Sequence, residues 1–184
     1  MNGDPRKVEI AQAQQYFALQ ARKQELYEQQ VEEDKRLIAR AKLAESETKI
    51  EETVYRRWIT QPFEFASFKN TKIQALYGMT TRELKSKRWI PESRALADFE
   101  SEVELKAKDF VYAMTDHNIK EHNITGKEKL TQELVSNASS TRKAMLERWI
   151  TPEQLPAQED LKKITKRRQT NNQQLQNHSK RLST

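Results

Sequence analysis

The side chains best placed to do chemistry in this 184-residue sequence are seven cations near its end: Lys162, Lys163, Lys166, Arg167, Arg168, Lys180 and Arg181. No acid occurs from Leu161 to Thr184, so the net charge of +6 divides into +7 in that segment and −1 in the 160 residues before it. A basic segment of this kind is the electrostatic footprint of a nucleic-acid contact, and solvated basic termini also occur on proteins that bind none. The other candidates are weaker. His117 and Glu121 stand four apart on a helical spacing with Asp116 and His122 beside them, but two His and an acid in a polar stretch read as a solvated helix end before a metal site. Zero Cys removes thiolate catalysis, disulfides and Cys-based zinc sites together. There is no Gly-rich phosphate loop and no nucleophile elbow. Acids such as Glu51, Glu52, Glu100, Glu102 and Glu104 fall on polar faces, where nothing in the pattern predicts the burial that would shift a pKa. The residues therefore describe a non-enzyme with no catalytic residue, no metal and no cofactor.

The elements that must carry these residues are helical. Apolar residues make up 35% of the chain and charged ones 33%, with three Gly and five Pro. Paired amphipathic helices tolerate that composition, whereas a sheet protein needs more turn residues. Asp4 is a good N-cap ahead of Pro5 at the first helical position, and no Gly or Pro follows between Arg6 and Gln61. Val8, Ala11, Ala13, Phe17, Ala21 and Leu26 recur at three- and four-residue steps, the pattern thins through Glu28 to Lys35, and it resumes at Leu37 and Ile38. One long helix and two or three shorter ones both fit. Phe17, Leu26 and Ile38 on so polar a helix need cover, which predicts a homodimer through this arm or a partner within the chain.

Pro62 ends the arm. An aromatic stretch with Phe63, Phe65, Phe68 and Tyr77 follows and predicts a small apolar cluster rather than a base-stacking platform. A short helix capped by Thr80 or Thr81 comes next, then an amphipathic segment from Leu96 to Asn118, a break at Gly126, and a long helix from Lys127 to Trp149. Beyond Gln158 acids precede bases, as a helix dipole prefers. The Gln/Asn-rich residues after Arg168 carry too little apolar surface to pack and are expected to be mobile. The expected architecture is all-α: a helical arm over 1–61, a helical subdomain over 62–157, and a basic helix with a flexible tail over 158–184. No apolar run approaches the roughly 20 residues of a membrane span, so a soluble, cytoplasmic protein without membrane contact is expected. A basic residue, Trp and Ile recur together at Arg57-Trp58-Ile59, Arg88-Trp89-Ile90 and Arg148-Trp149-Ile150, with Pro following within a few residues. These read as three helix C-termini, each pinned by a buried Trp.

The opening Asn2-Gly3-Asp4-Pro5, the run through Tyr16-Phe17-Ala18 to Arg22-Lys23-Gln24-Glu25-Leu26, Phe65-Ala66 with Phe68 and Asn70, Leu76-Tyr77-Gly78, and the close Pro152-Glu153-Gln154-Leu155-Pro156 with Asp160-Leu161-Lys162-Lys163 resemble the DNA damage-inducible protein D (DinD) family. The match lies in the region that follows a BRO-type domain, and related phage antirepressor-like proteins share it. The resemblance implies the C-terminal module of such a protein without its BRO domain. Where that family tends to have Gly before Ile, this chain has Trp89 and Trp149, which predicts differently capped helix ends. The resemblance further implies a damage-response role: restraint of a RecA recombinase filament on single-stranded DNA. An antirepressor-like interaction module is the alternative, and direct single-strand binding by the basic tail is a third. It transfers no functional residue.

Overall fold

The computed structural model describes the backbone of residues 5–182 and the side chains of residues 10–173. Among the described residues there are six α-helices and no strand. They are α1 (Pro5–Tyr55), α2 (Pro62–Tyr77), α3 (Thr81–Lys87), α4 (Glu102–Glu121), α5 (Lys127–Glu147) and α6 (Leu161–Leu182), with 3-10 turns at Leu96–Phe99 and Pro152–Gln154. No helix among them is long and apolar enough to cross a membrane. The Gly- and Pro-free run forms a single helix, deciding between the alternatives the periodicity left open. The N-cap proposed at Asp4 lies outside the described residues. The chain divides into two units, residues 1–35 and residues 36–184. In the first, Ile10, Tyr16, Phe17, Leu19, Leu26 and Tyr27 are all exposed.

In the second unit, residues 36–55 of α1 run parallel to α4 in a constant register set by polar contacts. Arg36 Nε donates to the Glu100 carbonyl at 3.0 Å, the Ser46 hydroxyl bonds Asp109, and the Thr53 hydroxyl donates to Asp116 Oδ1 at 2.6 Å. Arg57 Nη1 continues the series at Asn123 Oδ1, 2.7 Å away. Offsets of 63–66 residues along this seam keep Ala39, Leu43, Ile50 and Val54 turned into the core. The short link at Gly126 returns the chain as α5, antiparallel to α4, with Asn137 Nδ2 donating to Thr115 at 3.0 Å and Asn118 Nδ2 to Glu133 at 2.7 Å. Helix α2 packs on α5 as well. Leu76, Leu105, Ile119, Leu130 and Leu134 fill the space between them with no exposed surface.

The helix starts follow capping chemistry. Thr80 and Ser101 each accept from the amide three residues on, while Glu83 and Glu104 reach back to them. Asp160 caps α6 by accepting from the Lys162 amide at 2.8 Å. Gly78 ends α2 at φ 68, a left-handed position that a glycine takes without steric cost.

One expectation about burial is overturned here. Glu100 and Glu104 do not lie on a polar face; both have 0% exposure. The sequence pattern misses them because their partners are tertiary. Arg88 Nη2 donates to Glu104 Oε1 at 2.7 Å, and Lys108 and the Tyr77 hydroxyl both bond Glu100 Oε1, the latter at 2.9 Å. Glu104 Oε2 takes the Ser101 amide and hydroxyl, so this one carboxylate caps α4 and neutralises a buried arginine. Burial and the neighbouring Glu100 carboxylate push the Tyr77 phenol well above its ordinary value, so it stays protonated as the donor. Helix α6 runs from Leu161 to Leu182. Among its described side chains, Leu161 and Ile164 near its start are the buried ones.

Candidate nucleic-acid interface

The three Arg-Trp-Ile segments are indeed helix C-termini, but the tryptophans are not buried. Trp58, Trp89 and Trp149 are 73%, 93% and 94% exposed. Each occupies a backbone position with positive φ, at 96°, 55° and 62°. The hydrogen bonds explain why. Ile59, Ile90 and Ile150 donate back to the carbonyls of Val54, Lys85 and Met145 at 3.0, 2.9 and 3.0 Å, five residues earlier in each case. The Trp amide bonds the carbonyl three back at Ser86 and at Leu146. This is the Schellman closure of a helix, in which the residue after the C-cap turns left-handed and the next apolar residue folds back onto the last turn. Ile59 and Ile90 are accordingly buried and Ile150 half-buried. The expectation of different caps is thus corrected: these ends use the geometry a glycine would use, with an indole in the glycine's place. A left-handed conformation costs a residue with a Cβ roughly 1–2 kcal/mol, and an exposed ring recovers little of it by burial.

Tertiary bonds bring two of these ends together. Arg88, immediately before Trp89, donates to the Pro152 carbonyl at 2.8 Å, three residues beyond Trp149. Beside it Arg142 holds Glu153 through two bonds of 2.8 and 2.7 Å. That pairing sets the Glu153 carboxyl below its ordinary range. The same end of the unit receives α6. Arg36 Nη2 donates to the Glu159 carbonyl at 2.8 Å, Gln158 N donates to the Phe99 carbonyl at 2.8 Å, and Arg94 pairs with Asp160 at 2.5 Å. The arginine and the backbone donor hold the Asp160 carboxyl low despite its burial.

On α6 the sequence candidates Lys162, Lys163, Lys166 and Arg167 are exposed and Arg168 is half-exposed. Arg167 pairs with Glu159 at 2.8 Å. The side chains of Lys180 and Arg181 lie outside the described residues. His117 and His122 are exposed, and among the described residues no three His, Asp or Glu side chains gather as a metal site. Phe68 and Tyr77 of the aromatic stretch join the main core, whereas Phe63 is 68% exposed. From sequence the cations of α6 were named as candidates, whereas the indoles were placed in the core. The available signal was the recurring Arg-Trp-Ile at three helix ends, where an apolar residue after the left-handed position folds back on the last turn.

A model of the DinD C-terminal domain matches residues 30–164 of this chain. DNA damage-inducible protein D of Escherichia coli (strain K12) is 30% identical over 162 residues, covering 84% of this chain and 59% of that protein. The chain thus spans about three-fifths of that relative's length. The family match takes in α2 to α5, the three Arg-Trp-Ile helix ends and the start of α6, and the chain belongs to the DinD C-terminal domain family.

Proposed function

We propose that this chain is a non-enzymatic damage-response module of the cytoplasm that engages a recombinase filament on single-stranded DNA. The observation that carries the reading is the pair of indoles at Trp89 and Trp149, almost wholly exposed on strained backbone and tied to one end of the second unit through Arg88 and Pro152. Strain of this kind gathers at sites of use. Exposed indoles stack on bases and anchor protein contacts, and the cations of α6 supply attraction to phosphate. Family membership and the name of the E. coli relative support the damage-response setting.

The test is a titration of fluorescently labelled single-stranded DNA, bare and as recombinase filament, with the intact chain. Wild type is expected to bind both more weakly as salt rises. Trp89→Gly with Trp149→Gly is expected to lose binding while retaining the fold. Unchanged binding by this double variant would remove the indoles from the interface. A second reading, the antirepressor-like interaction module, is favoured by the exposed Ile10, Phe17, Leu19 and Leu26 of the first unit. It predicts self-association without DNA and gains if DNA binding is absent.

A further inference from the structure

A cavity of about 340 Å³ opens between α1, α2, α3 and α4, and its lining includes none of the three indoles. Arg40, Lys69, Lys72, Lys85 and Lys108 line it against a single carboxylate, Glu47. Some of that charge is already answered. Lys69 pairs with Glu51, Lys108 with Glu100, and Arg40 Nε with Asp98 at 3.3 Å. Lys85 donates to the Glu92 carbonyl, and no carboxylate pairs with it among the described residues. Lys72 is only 2% exposed and has neither a hydrogen bond nor an ion pair; its ammonium rests 3.7 Å from the centre of the Tyr112 ring. Two more buried donors at this cavity lack an acceptor. The Tyr112 hydroxyl has none, and Arg40 Nη1 has only Glu47 Oε2 at 3.8 Å.

Buried donors without acceptors are costly, and a buried ammonium is costlier still, so each normally has a partner. Burial, aided by Lys108, pushes the Lys72 ammonium well below the ordinary lysine value. A dianion in the cavity would answer Lys72 and Lys85, which no carboxylate pairs directly, and after a small side-chain shift would accept from the Tyr112 hydroxyl and Arg40 Nη1. A phosphate monoester has that charge and several acceptor oxygens. The volume sits at the lower end of ligand cavities, about 300–1,000 Å³, and leaves room for more than the phosphate alone.

We propose that this cavity binds a phosphate monoester of nucleotide size, with Lys72, Lys85 and Arg40 as the anion's donors. Neither Trp89 nor Trp149 lines the cavity, so Lys72→Met tests the cavity and the tryptophan substitutions test the interface independently. The experiment is calorimetric titration of the full chain with inorganic phosphate, a nucleoside 5′-monophosphate, the matching unphosphorylated nucleoside, and a dinucleotide that carries only a diester. The monophosphate is expected to bind, the nucleoside not to bind, and inorganic phosphate to bind more weakly than the monophosphate and compete with it. Lys72→Met is expected to weaken the monophosphate about tenfold, the loss of one charged hydrogen bond. It should change the melting temperature without ligand little, because the desolvation cost it removes offsets the ring contact with Tyr112 that it loses. Lys85→Met, at the half-exposed rim, supplies an independent arm with a several-fold loss. Binding of the diester alone, binding unaffected by both substitutions, or absence of binding by every phosphate compound at millimolar concentration would overturn the proposal.

Discussion

Replacing Trp149 by Gly should make the protein more stable, although it deletes the largest side chain at that helix end. The indole is 94% exposed, so its removal forfeits almost no buried apolar surface. The backbone stays at φ 62, where a Cβ costs about 1–2 kcal/mol and glycine nothing. Glycine's greater freedom in the unfolded chain returns roughly 0.5–1 kcal/mol of that relief. The net gain is about 0.5–1 kcal/mol per site, and the Trp89→Gly site repeats the argument at φ 55 and 93% exposure. At about 2–4 °C per kcal/mol for a chain of this size, the double variant should melt roughly 2–8 °C above wild type by circular dichroism. Trp149→Ala is the control. It removes the ring but keeps the Cβ, so it should show no comparable gain. A Trp149→Gly protein that melts below wild type would show that the ring packs against something or that the turn is unstrained, and strain would no longer mark Trp149 as part of a site.

The buried pair offers a test of the opposite sign. Glu104→Gln leaves Arg88 uncompensated at a site with 3% and 0% side-chain exposure, and should cost about 3–5 kcal/mol, read as a lower urea midpoint. Equal midpoints would mean that Arg88 finds another partner. For the basic helix, Lys162→Gln with Lys166→Gln should lower the slope of log affinity against log salt on single-stranded DNA by about 1.4, at roughly 0.7 per phosphate contact; an unchanged slope would leave α6 as a solubilising end. Acid should weaken the fold through Glu153 and Asp116, whose folded values lie below the ordinary ones. Their contribution is complete above the unfolded value near pH 4 and is lost as pH falls through the folded value, so urea midpoints should drop below about pH 4. Arg142→Gln should remove the Glu153 part of that pH dependence, and a slope that persists unchanged would assign it elsewhere. Phe17→Asp should abolish any concentration-dependent dimer seen by sedimentation, because the ring is 68% exposed within the single chain; a dimer that survives it uses another surface.

Local chemistry alone determined the helices. The Gly- and Pro-free run, the Thr80 and Ser101 capping boxes, Gly78 after α2 and the prolines after each Arg-Trp-Ile set the ends of the elements, because caps and breaks act through neighbours within four residues. The cations of α6 were equally visible, since a charge run needs no fold to be counted. What the tertiary structure decided is where polar and aromatic side chains end up. Glu100 and Glu104 look solvated by periodicity and become buried because Arg88 and Lys108 arrive as partners, Arg88 from the preceding helix end and Lys108 from α4. The tryptophans look like core residues by hydrophobicity and are turned out because the left-handed turn hands the inward position to the next residue, Ile90 or Ile150. The cavity around Lys72 combines residues from four helices, and its unpaired ammonium is a property of that assembly rather than of any local stretch. A residue's neighbours in sequence fix its backbone, but the free energy of its side chain depends on partners tens of residues away, and only the packed chain supplies them.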